Sequence, residues 1–208
     1  MQTERNQNQI FLRVFVAEEP RFSHESHGTE YETFPLSVPR LSGAADRLNV
    51  LADRATLAAL DLAAGDKVEL TGEVRSFNNR SGTGSRLEIS VFARTLVHAE
   101  GDPVNELVLA GALCKEPRCR RTPLGRDICD MLLAVNRRYG RADYLPCIAW
   151  GSLALACGEL SVGARLHLEG RLQSRVYHKE ENGVRVPHTA YEVSIMTLTT
   201  EPECGSQR

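Results

Sequence analysis

A stretch that opens at Asn8 recurs at Asn105, and the same offset of 97 residues, from 8 to 105, superposes one landmark after another. Glu19-Pro20-Arg21 falls on Glu116-Pro117-Arg118, Gly28 on Gly125, Val38 and Arg40 on Val135 and Arg137, and Asp46 on Asp143. One residue more of offset places Gly65 on Gly163 and Gly72 on Gly170. Solenoid repeats have periods of about 20–50 residues, so a copy of this length is a whole small domain. The chain is expected to hold two domains of one fold, 1–101 and 102–208, and differences between the copies should show where the function lies.

Within the second copy, Leu107, Leu109, Gly111 and Leu113 alternate with Val108, Ala110 and Ala112, which predicts a strand covered on both faces. An arginine-rich turn with Pro123 and Gly125 follows, then strands over Ile128 to Val135 and Tyr144 to Trp150. Gly151 to Gly158 predicts about two turns of helix. A long strand, Arg165 to Tyr177, meets a Glu-Asn-Gly turn at 181–183 and a last strand over Ala190 to Thr199. Three strands, one helix and a hairpin make the order of a five-stranded Greek-key barrel of the OB type, and Gly170 reads as its corner bend.

The first copy repeats this order over Ile10 to Val16, Tyr31 to Val38, Leu48 to Leu51, Lys67 to Phe77 and Arg86 to Val97. Its helix over Arg54 to Leu60 carries the stronger signal, with Asp53 as N-cap and Gly65 soon after its end. The fold class is therefore mainly β, two tandem OB barrels, each with one short helix.

Composition removes several functions. No apolar run nears the roughly 18 residues of a membrane span, and Met1 to Gln9 lacks a signal peptide's apolar core, so a cytoplasmic protein with no membrane partner is expected. All six cysteines lie in the second half without C-x-x-C spacing, which reads as reduced thiols rather than a metal site. His24, His27 and His98 lack a fourth ligand at sensible spacing and read as loop histidines. No nucleophile with a base and no carboxylate pair at a glycine-rich loop is present, so neither enzyme activity nor a cofactor is expected. The net charge of −2 hides an asymmetry: residues 1–102 carry 11 basic and 15 acidic side chains, and 103–208 carry 14 and 12.

Asn105 to Gly111 followed by Glu116-Pro117, then Leu133 to Arg137, Ile148 to Gly151 and Leu168 to Arg175, stand in an order and spacing that resembles the bacterial single-stranded DNA-binding protein family. The first copy resembles a diverged member through Leu70-Thr71-Gly72 and Val74 to Phe77. The resemblance implies bases stacked on aromatic residues at the positions of Tyr139, Tyr144, Trp150 and Tyr177. Around them, Arg118, Arg120, Arg121, Arg137, Arg138, Arg141, Arg171, Arg175 and Lys179 are the expected phosphate contacts. A charge run is ordinarily a solvated face and a lone strand tryptophan ordinarily core; Tyr139 and Tyr177, flanked by charge at strand ends, are expected at the surface. Stacking is worth about 1–3 kcal/mol per base and ignores base identity, which fits sequence-independent binding.

At the same four positions the first copy holds Ser42, Arg47, Asp53 and Asn79, with Phe22 and Phe77 as neighbouring substitutes. A structural or assembly role is expected for it. The resemblance also implies four barrels, hence a homodimer, with Phe11 and Phe15 on the outer side of the first strand available for packing. The family's acidic, hydrophobic-tipped tail has no counterpart in Glu201 to Arg208, so a coating role is expected over a hub role. Strand protection in replication, repair, recombination or mobile-element transfer is the expected function. A primosome- or restart-type accessory protein that works through protein partners is the alternative, and acceptance of single-stranded RNA stays open.

Overall fold

The computed structural model describes residues 8–79, 87–137, 140–181 and 183–201. They fall into two compact units: 9–107 with 171–192, and residue 8 with 108–170 and 193–201. The repeat boundary at 101 and the boundaries of these units differ mainly by the segment 171–192, an arm that groups with the first copy.

In the first copy β1 (Asn8–Val16) buries Ile10, Leu12, Val14 and Val16 on one face and leaves Phe11, Arg13 and Phe15 half-buried on the other. There follow β2 (Arg21–Ser26), β3 (Thr29–Pro39), β4 (Ala45–Asp53), α1 (Arg54–Leu57), β5 (Lys67–Asn78) and β6 (Leu87–His98). The strands run in the order β2-β3-β4-β6-β5-β1, β1 closes on β3, and the β4–β6 pair is parallel. In the second copy the elements are β7 (Val104–Leu113), β8 (Arg118–Arg121), β9 (Asp127–Asn136), β10 (Ala142–Trp150), α2 (Ser152–Gly158), β11 (Arg165–Glu181) and β12 (Val184–Thr200). Their order, β7-β11-β12-β10-β9-β8 with β7 closing on β9 and a parallel β10–β12 pair, is the mirror listing of the first. Both copies are OB barrels, as the strand order indicated.

Two strands escaped the sequence pattern. β2 and β8 occupy segments read as loop or turn, and both are exposed almost throughout, so no buried face imposed a period of two. Pairing creates them: β2 joins β3 through His27 and Gly28, both at positive φ as a tight hairpin turn requires, and β8 lies along β9. The second helix keeps its expected two turns, whereas the first falls short of its expected span. Asp53 does cap α1, accepting from the Thr56 amide at 2.7 Å, yet that helix spans only Arg54–Leu57. The uncapped α2 is longer because Ala154 and Cys157, one turn apart, both bury against the barrel.

Gly72 and Gly170 sit at equivalent close approaches. A Cβ would lie 2.2 Å from the Phe92 carbonyl oxygen at the first and 2.3 Å from the Ser194 carbonyl oxygen at the second. β5 is irregular against β6 at Thr71 and Gly72, the local kink a small barrel uses to turn its sheet. Gly170→Ala is expected to cost about 1–3 kcal/mol, as overpacking does, read as a lowered urea midpoint; an unchanged midpoint would show that the strands can separate freely there.

A second shared device is an arginine that grips a buried aspartate six residues on. Arg40 binds Asp46 through Nε at 2.7 Å and through Nη2, and Arg137 binds Asp143 through the same two nitrogens. Asp46 is 4% exposed and Asp143 0%. In the first unit Asp46 also accepts from the Ser174 amide at 2.6 Å, while the Arg47 amide donates to Ser174 Oγ at 2.9 Å and Arg40 to the Ser174 carbonyl at 2.8 Å. Asn105 brackets Leu172 nearby, donating to its carbonyl at 2.7 Å and accepting from its amide at 3.2 Å. These bonds hold the base of the arm.

The five described cysteines are free thiols. Burial, with a hydrogen bond to Cys119, pushes the Cys129 thiol up to about 12, and burial pushes Cys157 up to about 11. The folded state keeps these protons where the unfolded chain, near the ordinary value of 9.0, has lost them. Their contribution to stability is therefore complete below about pH 9 and is lost as pH rises toward 12. Melting temperature should fall on the alkaline side, less steeply in Cys129→Ala than in the parent; identical slopes would remove this cause.

Candidate nucleic-acid interface

Alternation along β10 decides which side chains reach solvent. Asp143, Leu145, Cys147 and Ala149 face the core; of the alternate set Tyr144 and Trp150 reach solvent, Pro146 is half-buried and Ile148, at 5% exposure, is covered. The two rings at the ends are exposed, Tyr144 at 47% and Trp150 at 41%, so the lone tryptophan is a surface residue. They lie on one face, about 20 Å apart at the rise of a strand. Cross-strand pairing sets Ala134 beside Tyr144, Leu132 beside Pro146, Asp130 beside Ile148 and Ile128 beside Trp150. The floor between the rings is thus mostly apolar, with one carboxylate.

β8 adds charge to this face. Arg120 pairs with Ile128, which pairs with Trp150, so the three occupy one row across three strands. Arg118 opposes Asp130 in the neighbouring row. Arg120 engages Asp130 at 3.0–3.1 Å and Arg121 engages Asp127 at 3.2 Å, with both arginine side chains more than half exposed. These exposed pairs are weak and leave most guanidinium hydrogens available, and among the described residues no carboxylate pairs with the exposed Arg118, Arg126 or Arg141.

Arg137 is placed differently from the other predicted phosphate contacts. Its side chain is 19% exposed and grips the buried Asp143, which gives it a structural task at the end of β9. Arg138 and Tyr139 lie outside the described residues. Arg171, Arg175, Tyr177 and Lys179 belong to the arm, in the other compact unit. There the half-buried Tyr177 ring stacks on His188 at 5.5 Å and 26°, with the Arg175 guanidinium 5.7 Å from its centroid. Arg171, Arg175 and Lys179 are exposed.

The first copy carries rings that the comparison of equivalent positions missed. Asp53 stands where Trp150 does, but Tyr31, directly opposite Asp53 on β3, occupies the same cross-strand row one strand over. Tyr31 stacks on His24 at 5.1 Å and 17° and contacts Phe92 at 6.0 Å, while Arg94 lies 4.8 Å from the Phe92 centroid. Phe22 and Phe77 are exposed at 64% and 43%. Carboxylates surround this ladder: Glu30 and Glu32 engage Arg54, and Glu73 engages Arg75 and Arg94. A row-by-row reading of strand pairs, rather than an offset along the chain, is the signal that finds Tyr31.

A profile of the single-strand binding protein family matches residues 104–200. The single-stranded DNA-binding protein of Clostridium tetani is 31% identical over 113 residues, which is 50% of this chain and 78% of that protein. Single-stranded DNA-binding protein A of Bacillus subtilis is 36% identical over 109 residues, 49% of this chain and 62% of the relative. Single-stranded DNA-binding protein 2 of Listeria innocua is 36% identical over 90 residues, 40% of this chain and 56% of that protein. Among solved structures, the single-stranded DNA binding protein from Thermus aquaticus superposes with a TM-score of 0.76 at 22% identity, covering 97% of this chain and 96% of that one, which shows a shared fold over nearly the whole length. The family profile ties the second copy to the family by sequence, the relative from Clostridium tetani is matched over most of its length, the solved structure shares the fold over nearly the whole chain, and the chain belongs to the single-strand binding protein family.

Proposed function

We propose that this chain binds single-stranded DNA without sequence preference and without catalysis, coating and protecting exposed strands in replication, repair, recombination or mobile-element transfer. The observation that carries the reading is the outer face of β10, where two exposed rings, Tyr144 and Trp150, lie on an apolar floor beside Arg118 and Arg120. Bases stack on such rings whatever their identity, and the arginines follow the phosphates. Duplex DNA has its bases already stacked and offers this face only its backbone. The relatives named above, all single-stranded DNA-binding proteins, support the same reading.

The second copy, 102–208, is the principal strand-binding domain and the first, 1–101, chiefly an assembly domain, because residues 1–102 carry 15 acidic against 11 basic side chains and the arginines near Tyr31 and Phe92 are taken up in ion pairs. Two chains joined as a homodimer would present four barrels. Phe11 and Phe15 remain half-buried, with Arg13 at 5.7 Å and Lys67 at 5.0 Å from their rings. Light scattering at micromolar concentration should give twice the chain mass; the mass of one chain would contradict the homodimer. The free thiols suit a reducing, cytoplasmic setting.

The test is direct binding of the full chain to oligothymidine and to a duplex of equal length. The single strand should bind far more tightly, with a log–log salt slope near −0.7 per phosphate contacted. Equal affinity for the two, or no binding at low salt, would reject the reading. Oligouridine makes an informative companion, since a stacking platform does little to distinguish a 2′-hydroxyl.

A further inference from the structure

Three thiols of the second copy meet where β8 crosses α2. Cys119 on β8 stands directly opposite Cys129 on β9. Its thiol donates to the Ala154 carbonyl at 3.6 Å, and a Cβ on Gly158 would lie 2.9 Å from its sulfur, so Cys119 reaches the α2 segment that carries Cys157. Cys119 is exposed as a residue, whereas Cys129 and Cys157 are fully buried. Among the described residues no group of three or more His, Cys, Asp or Glu side chains is arranged to hold a metal ion.

We propose that Cys119 and Cys129 form a thiol-oxidation site that closes to a disulfide when the protein meets a peroxide. Directly opposed residues of an antiparallel pair have Cα atoms about 4.5–5.5 Å apart, inside the range of about 4.4–6.8 Å that a disulfide spans. Cys119 is the entry point because it alone of the three is exposed. Its thiolate attacks one peroxide oxygen, the O–O bond breaks, and the protonated leaving oxygen departs as water, leaving a sulfenic acid on Cys119. The Cys129 sulfur then attacks the Cys119 sulfur; the S–O bond breaks and a second water leaves with the Cys129 proton. Two thiols lose two hydrogens and one hydrogen peroxide becomes two waters. The bond would staple β8, with Arg118, Arg120 and Arg121, to the barrel.

The site stands apart from the DNA-binding reading and is tested without DNA. The full chain is reduced, freed of reductant and treated with equimolar hydrogen peroxide, then blocked with iodoacetamide, digested and mapped by mass spectrometry. Peptides joined through Cys119 and Cys129, dissolved again by dithiothreitol and absent in Cys119→Ser, are the expected result. A bond from Cys119 to Cys157, or Cys119 accumulating as sulfinic acid with Cys129 still alkylated after denaturation, would overturn the assignment. The wild-type map alone decides between these outcomes, so the proposal survives a variant that folds poorly.

Discussion

Replacing Trp150 by alanine is expected to weaken oligothymidine binding by roughly 5- to 150-fold, the equivalent of about 1–3 kcal/mol for one stacked base. The magnitude follows from position. Trp150 is 41% exposed at the end of β10, in one row with Ile128 and Arg120, so its ring is accessible to a ligand beside an arginine. Tyr144→Ala should act similarly from the other end of the strand, and the double variant should approach the sum, because the rings stand six residues apart and share no side-chain contact in the pairing pattern. Trp150→Phe should recover much of the loss. Neither ring is part of the buried core, so melting temperatures should change little while affinity falls. Equilibrium fluorescence anisotropy with labelled oligothymidine measures the effect, and circular dichroism reports the fold.

Asp143→Ala is expected to be the most damaging single change to the fold, at about 3–5 kcal/mol from a total that for such domains is typically about 5–15 kcal/mol. Asp143 is fully buried and receives two nitrogens of Arg137, whose side chain is itself only 19% exposed. Without the carboxylate a charged guanidinium is left in a poorly solvated place. Asp130→Ala supplies the contrast: its partner Arg120 is 58% exposed, and such surface pairs are worth about 0–1 kcal/mol. Urea unfolding of the two variants should separate them widely. The same experiment on Arg137→Gln addresses the role of Arg137. A large stability loss with an unaltered salt slope of DNA binding would place it with the fold, whereas a reduced slope in a stable variant would place it with the phosphates.

Much of the architecture was legible because burial leaves a period in the sequence. Ile10, Leu12, Val14 and Val16 announce β1, and Gly72 and Gly170 announce the bends where a carbonyl from the next strand comes too close for a Cβ. β2 and β8 left no such trace, since an exposed strand such as Arg118–Arg121 needs only a partner ladder, not an apolar face. The second helix matches its expected two turns, whereas the first is shorter than its signals suggest for a related reason: a cap at Asp53 starts a helix, but only buried contacts such as those of Ala154 and Cys157 prolong it.

At the candidate site, Tyr144 and Trp150 could be picked from the family's spacing, and the structure shows them exposed on one face. Arg137 was grouped with the phosphate contacts by proximity. A structural signal stands beside that grouping, because Arg40 with Asp46 and Arg137 with Asp143 recur together at the same separation in two copies that otherwise diverge. A pair kept in both copies points to the fold, and a residue kept in one points to function. Tyr31 and the opposition of Cys119 to Cys129 depend on strand register, which no linear pattern reports.

The central claim is that Trp150 lies under the bound strand, and the chain has no other tryptophan to confuse the signal. Titrating the full chain with oligothymidine at low salt, while following tryptophan emission, should produce strong saturable quenching that is reversed by added salt. Binding detected by anisotropy with unchanged tryptophan emission would contradict it, because the strand would then run elsewhere than along β10.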